Sequence, residues 1–368
     1  MNDSVVSEPV VAAMLAFGRP DIALRPPSSD AICLPTNDWQ LLLSRVEQQR
    51  VSGTLWAAIE NGFPVTPLQR VEAAQLHHES MTMLVKLEAT ALWLVGLLRD
   101  ADVDARIIKG LATAHIVHPT PEHRASGDVD LLVSPDQFRT ALAALTRAGV
   151  RRQGSWGEGA DSFAKEVVFI SDDIEIDLHQ SLAFGARWRR ATASLMANGL
   201  DLPFIIKGQP VKTLSIEGLF ISACVSAARG DGRLSGLVDI ATLSHRPDLD
   251  LIRVRQLLER EGLAPMIEPV LQLTSRHLKI NPQVLHIVQT SLAGRHHRLF
   301  SRLERSDGGA RYLYSCLSGT PRSWPEGLRT LLVPDDAYFE SEGRSKSSNW
   351  RRVADRTSEM FLRPSIYR

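Results

Sequence analysis

Gly127-Asp128-Val129-Asp130-Leu131-Leu132-Val133-Ser134-Pro135 is the stretch that decides how this chain is read. Taken as a strand, it sends side chains two apart to the same face, so Asp128 and Asp130 project together while Val129, Leu131 and Val133 turn toward a core. Two carboxylates held side by side repel, which costs free energy unless a cation lies between them. A divalent ion meets that need. Ser134 and Pro135 then read as the N-cap and first position of a helix from Asp136 to about Ala148, ended by Gly149.

Downstream, Glu166 to Ile170 and Ile174 to His179 read as two strands joined by the turn Ser171-Asp172-Asp173. Ile174, Ile176 and Leu178 share one face, and Glu175, Asp177 and His179 the other. If this strand neighbours the first, Asp177 completes a three-carboxylate site with Asp128 and Asp130. Glu175 is then the substitute ligand and His179 a framework residue. Oxygen ligands of this kind suit magnesium or manganese rather than zinc, and two such ions can clamp the attacking and leaving oxygens of an in-line phosphoryl displacement.

Upstream, Arg106-Ile107-Ile108 reads as a short strand, and Lys109-Gly110 as the opening of a helix that runs to about His118 before Pro119 and Pro121. A helix N-terminus offers unpaired N–H groups to an anion, Gly110 lets a phosphate come close to the backbone, and Lys109 adds charge. Arg124 has two readings, a fork of donors for triphosphate oxygens or a structural salt bridge to an aspartate. His115 and His118 have no carboxylate or cysteine motif beside them, so no metal role is assigned to them.

The remainder of the chain bounds the class. Its 368 residues are more than one ordinary core holds. The expected division is a helical region at 1–99, a mixed α/β core at 100–214, a helical domain at 215–339, and a polar loop and tail at 340–368. The long run from Leu68 to Leu98 reads as one amphipathic helix. A hydrophobic share of 44% with 23% charged residues is that of a soluble globular protein. Forty-two basic residues against forty-two acidic ones leave no net charge, which argues against non-specific binding of long nucleic acids. Cys33, Cys224 and Cys316 lack pairing or zinc-ligand spacing and read as free thiols. The N-terminus lacks the features of a secretory signal, and Lys86 and Glu88 interrupt the apolar run near Leu84 to Leu98, so a cytoplasmic protein without a membrane partner is expected. The basic cluster from Arg295 to Arg302 reads as a solvated helical face.

Taken in order, IIKGLATAHIVHP (107–119), RASGDVDLLVSPDQF (124–138) and EIDLHQSL (175–182) resemble the uncharacterised bacterial nucleotidyltransferases of the polymerase-beta superfamily. The resemblance implies that 100–214 is the nucleotidyltransferase core, a small mixed sheet with helices. It implies that Asp128 and Asp130 ligate two magnesium or manganese ions, and Asp177 the ion that activates the acceptor. Lys109 and Gly110 stand where the superfamily usually has a Gly-Ser pair that grips the nucleotide phosphates, with Gly127 and Arg124 expected beside them. Some relatives sit in gene clusters for modified peptides, including lasso peptides, or for polysaccharides, which implies a small-molecule or peptide acceptor. The chain departs from the pattern within ISACVSAARGDGRLSGLVDIATL (221–243), where Ser226 and Ala227 replace a histidine common in relatives while Asp239 keeps its place.

The expected reaction is transfer of a nucleoside monophosphate from a nucleoside triphosphate, ATP in the first instance, with release of pyrophosphate. Two readings compete with it. A toxin-like transferase acting on tRNA or protein would use the same aspartates, although the absence of net positive charge counts against tRNA. A non-catalytic nucleotide-binding or antitoxin-like scaffold would have no need of three intact aspartates.

Overall fold

The computed structural model describes residues 33–153, 165–183, 186–197, 201–228, 233–261 and 263–290. The basic cluster at 295–302, the polar stretch at 340–349, Cys316 and the N-terminal residues 1–32 lie outside them. Three helices come first: α1 (Thr36–Gln48), α2 (Ser52–Glu60) and α3 (Pro67–Arg99). The helical spacing of Trp39, Leu42 and Val46 delivers all three to the core, where Leu55 and Ile59 of α2 join them. A capping box starts α3: the Thr66 hydroxyl accepts from the Gln69 N–H at 3.2 Å, the Gln69 side chain accepts from the Thr66 N–H at 3.0 Å, and Pro67 takes the first position. Among the described residues α3 is the one helix long and apolar enough to cross a membrane by length and composition. Its Leu87, Ala91, Leu94 and Leu98 are buried in the core, and its Glu88 accepts a contact from His115 at 3.0 Å.

The sheet begins at β1 (Arg106–Ile107), followed by α4 (Lys109–Ile116), β2 (Asp128–Leu132), α5 (Phe138–Arg147), β3 (Arg151–Arg152), β4 (Glu166–Ser171) and β5 (Ile174–His179). The strand order is β1-β2-β5-β4-β3, with β2 and β5 parallel and every other pair antiparallel. The fold is therefore α+β with a mixed five-stranded sheet. Asp172 and Asp173 close the β4–β5 hairpin with φ of 47° and 61°, the left-handed pair that a two-residue turn of this hand requires. Val129, Leu131, Ile176 and Leu178 are fully buried; β5 alternates up to Leu178, whereas in β2 Asp130 and Leu132 are buried as well.

One local expectation is corrected. Ser134 does not cap α5, which starts at Phe138 with no side-chain cap. Gln137 holds the preceding turn open instead: its amide accepts from the Asp104 N–H at 3.2 Å and donates to the Asp102 carbonyl at 3.0 Å, tying this loop to the one before β1.

After α6 (Ala186–Ala197), the hairpin β6 (Leu202–Ile206) and β7 (Gln209–Thr213) turns through Lys207 and Gly208. Helices α7 (Ile216–Ser226), α8 (Leu234–Ser244), α9 (Leu251–Glu261), α10 (Ala264–His277) and α11 (Pro282–Thr290) follow. The N-terminal region reaches across to them: the Gln49 side chain accepts from the Leu234 N–H at 2.7 Å, satisfying a donor at the start of α8.

Candidate functional site

Parallel pairing of β2 with β5 sets Asp130 directly opposite Asp177 and Asp128 opposite Glu175. Backbone hydrogen bonds fix that register, so two acids 47 residues apart in the chain become neighbours without any help from loops. Among the described residues, one group of side chains brings metal-ligating atoms within 4.8 Å of one another: Asp130, Asp177 and His179. Asp128 is outside this group and pairs with Arg50, whose NH1 is 3.1 Å from its Oδ1.

Asp130 is the centre of the cluster. Lys109 Nζ is ion-paired with its Oδ1, and His179 Nε2 stands 2.8 Å from the same oxygen and 3.0 Å from Lys109 Nζ. Burial would raise the Asp130 carboxyl, but Lys109 and then His179 overcome it and hold the group down at about 2. Burial likewise works against the Lys109 ammonium, and Asp130 outweighs it, leaving the lysine above its ordinary range. Glu166, the cross-strand partner of His179, is 2.9 Å from the other ring nitrogen and is ion-paired with Lys165.

Asp177 is treated differently. Burial first, and the charge of Asp130 second, push its carboxyl up to about 6. Its Oδ1 is buried and has no hydrogen-bond partner. A buried carboxylate oxygen without a donor, beside a second carboxylate and an imidazole, is unstable as an anion unless a cation reaches it. Asp130, Asp177 and His179 thus form a donor set able to hold a divalent ion, with Asp128 on the same strand face.

These residues open into a cavity of roughly 360 Å³, within the range of small-ligand sites. Asp128, Asp130, Asp177, Lys109, Gly110 and Arg124 all line it, together with Arg50, Glu166, Glu175, Arg233 and Asp239. The expected phosphate-binding residues are occupied in different ways. Lys109 takes the backbone at φ 53° and turns onto Asp130. Ser126 packs over Gly110, where an added Cβ would lie 2.2 Å from the hydroxyl oxygen. Arg50 packs over Gly127, where a Cβ would meet NH2 at 2.8 Å. Arg124 forms a salt bridge to Asp239, with Nε 3.0 Å from both carboxylate oxygens and NH2 2.9 Å from Oδ2. His118 adds a contact to the same carboxylate at 2.9 Å. The Arg233 guanidinium has no partner among the described residues.

Three residues of the site are absent from the sequence-based set or underrated in it. His179 reads as framework in sequence because only its strand face is visible, whereas the fold buries it between Asp130 and Glu166. Glu166 has a readable signal, its position across a short hairpin from His179. Arg50 has none, since nothing in its local sequence ties it to Asp128.

An acid-lined cavity over a mixed sheet, with two carboxylates paired across parallel strands beside basic side chains, suits a cation together with an anionic ligand. Residues 35–279 match the family described as uncharacterised nucleotidyltransferase, and the chain belongs to this family. It is accordingly a nucleotidyltransferase, an enzyme class that moves nucleoside monophosphates. Two solved structures are similar at low identity. The solution structure of the antibiotic-resistance factor ANT(2'')-Ia is 13% identical, aligns with 60% of this chain and 98% of its own, and has a TM-score of 0.31. The crystal structure of an antigenic nucleotidyltransferase-like protein from Paracoccidioides brasiliensis is 18% identical, aligns with 54% of this chain and 96% of its own, and has a TM-score of 0.33. No curated protein matches the chain.

Proposed function

We propose that the chain transfers a nucleoside monophosphate, with ATP as donor, to a hydroxyl of a small molecule or peptide, and that Asp128, Asp130 and Asp177 hold two magnesium or manganese ions for this reaction. The observation that carries the reading is the buried, partnerless Asp177 Oδ1 beside Asp130 and His179. The donor set is dominated by oxygen, which favours these ions over zinc. When bound, such ions supply charge neutralisation on the triphosphate and lower the pKa of the acceptor hydroxyl.

The chain's own groups do the rest. Asp177, beside the acceptor-activating ion, is placed to take the acceptor proton. As that O–H bond breaks, the acceptor oxygen bonds to the α-phosphorus, the bond from α-phosphorus to the bridging oxygen breaks, and pyrophosphate leaves with that electron pair. Glu166 stands 2.9 Å from the far nitrogen of His179, and His179 contacts Asp130, which steadies the Asp130 carboxylate. Arg233, a cation in the cavity without a partner among the described residues, is placed to meet an anionic co-substrate.

Incubation of the pure protein with labelled nucleoside triphosphates, magnesium and host extract tests this. Label on a small molecule or peptide is expected. Label on tRNA or protein would move the acceptor to the toxin-like alternative, and label on nothing would favour a scaffold without turnover.

A further inference from the structure

Each aspartate of the Asp128–Asp130 pair is held by a cation from a different segment of chain. Arg50 NH1 meets Asp128 Oδ1 at 3.1 Å, and Lys109 Nζ pairs with Asp130 Oδ1 while standing 3.0 Å from His179 Nε2. Both cations sit on left-handed backbone, φ 54° at Arg50 and 53° at Lys109, which is unfavourable for residues with side chains and calls for compensating contacts. In both cases the compensation is an aspartate. Gly127 leaves the room through which the Arg50 guanidinium reaches Asp128.

The two contacts differ from the Arg124–Asp239 ion pair of the same cavity. Arg124 engages both oxygens of Asp239, a carboxylate that His118 also contacts, and its side chain is 11% exposed. Arg50 and Lys109 each engage a single oxygen and are 28% and 25% exposed toward the cavity. Asp130 is as buried as Asp239, so the contrast lies in the cations: one that engages a single oxygen and reaches the cavity exchanges more readily than one that engages both and is enclosed.

Resting on the metal reading given above, we propose that Arg50 and Lys109 are exchangeable counter-ions. Divalent ions take their places on Asp128 and Asp130, and the released guanidinium and ammonium move onto the oxygens of the triphosphate. No bond is made or broken in this exchange; each aspartate trades one cation for another, and each freed cation gains a phosphate. A metal ion and Lys109 cannot share one carboxylate oxygen, so the lysine lowers affinity for metal alone. The triphosphate removes that competitor by offering it a better partner. Binding of metal and of triphosphate therefore reinforce one another, and linkage requires the effect to be reciprocal.

The test uses Mn²⁺ and inorganic tripolyphosphate, each titrated separately into chelator-treated full-length protein, with circular dichroism to confirm folding. Lys109→Met is expected to bind Mn²⁺ alone about tenfold more tightly than the wild type, and tripolyphosphate alone at least about tenfold more weakly, the scale of a typical coupling. Arg50→Gln is expected to move both affinities in the same directions, and Lys109→Gln replaces the methionine variant if that fails to fold. Asp130→Asn is expected to lose Mn²⁺ yet bind tripolyphosphate more tightly, because it frees Lys109; a merely structural lysine would show no such gain. Loss of Mn²⁺ in Asp130→Asn with no gain in Mn²⁺ affinity in Lys109→Met overturns the exchange and leaves the metal site standing. Unchanged Mn²⁺ affinity in Asp130→Asn overturns the metal site itself.

Discussion

Two aspartates face the same cavity, Asp239 buried and Asp177 half-buried, and the protein treats them in opposite ways. Asp239 is saturated: Arg124 takes both of its oxygens, and His118 and Thr113 add contacts at 2.9 and 3.3 Å. Burial raises its carboxyl, but Arg124 and then His118 bring it below the ordinary range. Asp177 has a buried oxygen with no donor, and burial with Asp130 beside it lifts its carboxyl to about 6. The first arrangement is how a chain stabilises a buried charge for the sake of its fold. The second leaves a charge in need of something from outside, which is how a chain prepares a binding site.

Substitutions can break the contrast. Asp177→Asn and Asp130→Asn are expected to lower nucleotidyl transfer by about 10³-fold or more, since a metal ligand contributes several kcal/mol of charge stabilisation in the transition state; steady-state rates on labelled acceptor check this. Asp239→Asn is expected to cost stability instead, about 3–5 kcal/mol, because it strands Arg124 without its buried partner. Chemical denaturation would show it, and a variant as stable as the wild type would mean that Asp239 is no keystone. Asp177→Asn should move stability the other way, raising that of chelator-treated protein at pH 7–8 by up to about 3 kcal/mol, the ionisation cost implied by a carboxyl lifted to about 6.

The pH dependence sharpens the same comparison. A carboxyl raised on folding contributes stability that is complete below its unfolded pKa and lost as pH rises through its folded value, so Asp177 destabilises the protein between about pH 4 and 6 on the way up. Asp239, lowered on folding, contributes stability present above pH 4 and lost as pH falls below it. Melting temperature measured in chelator from pH 4 to 7 should therefore fall less in Asp177→Asn than in the wild type. An identical slope in the two proteins would deny Asp177 its raised carboxyl. This is the smallest of the expected effects, because other groups titrate in the same window.

The strands and the long helix are legible in the sequence because their signals are local. Val129, Leu131 and Val133 alternate with Asp128 and Asp130, and α3 shows as a long run free of glycine and proline until Gly96, although Met81 and Val85 of its expected apolar stripe are exposed. The pairing of Asp130 with Asp177 is legible only as a condition, since nothing in either strand names its neighbour. Contacts between distant segments carry no local mark. Arg50 reaches Asp128 across 78 positions, and Arg124 reaches Asp239 across 115. The competing reading of Arg124 as a phosphate ligand is therefore undecidable from composition or spacing. His179 reads as a hydrogen-bonded framework residue, and its contacts with Asp130 and Glu166 suit one, but those partners are not legible, because a strand pattern reveals which face a residue takes and not what the neighbouring strand delivers to it.

The parallel ladder between β2 and β5 has one more consequence. Main-chain bonds index the two acids against each other, so the ladder itself sets their spacing. A slip of a single position in that ladder would carry Asp177 to the opposite side of the sheet. Length changes inside either strand should therefore be lethal to the chemistry.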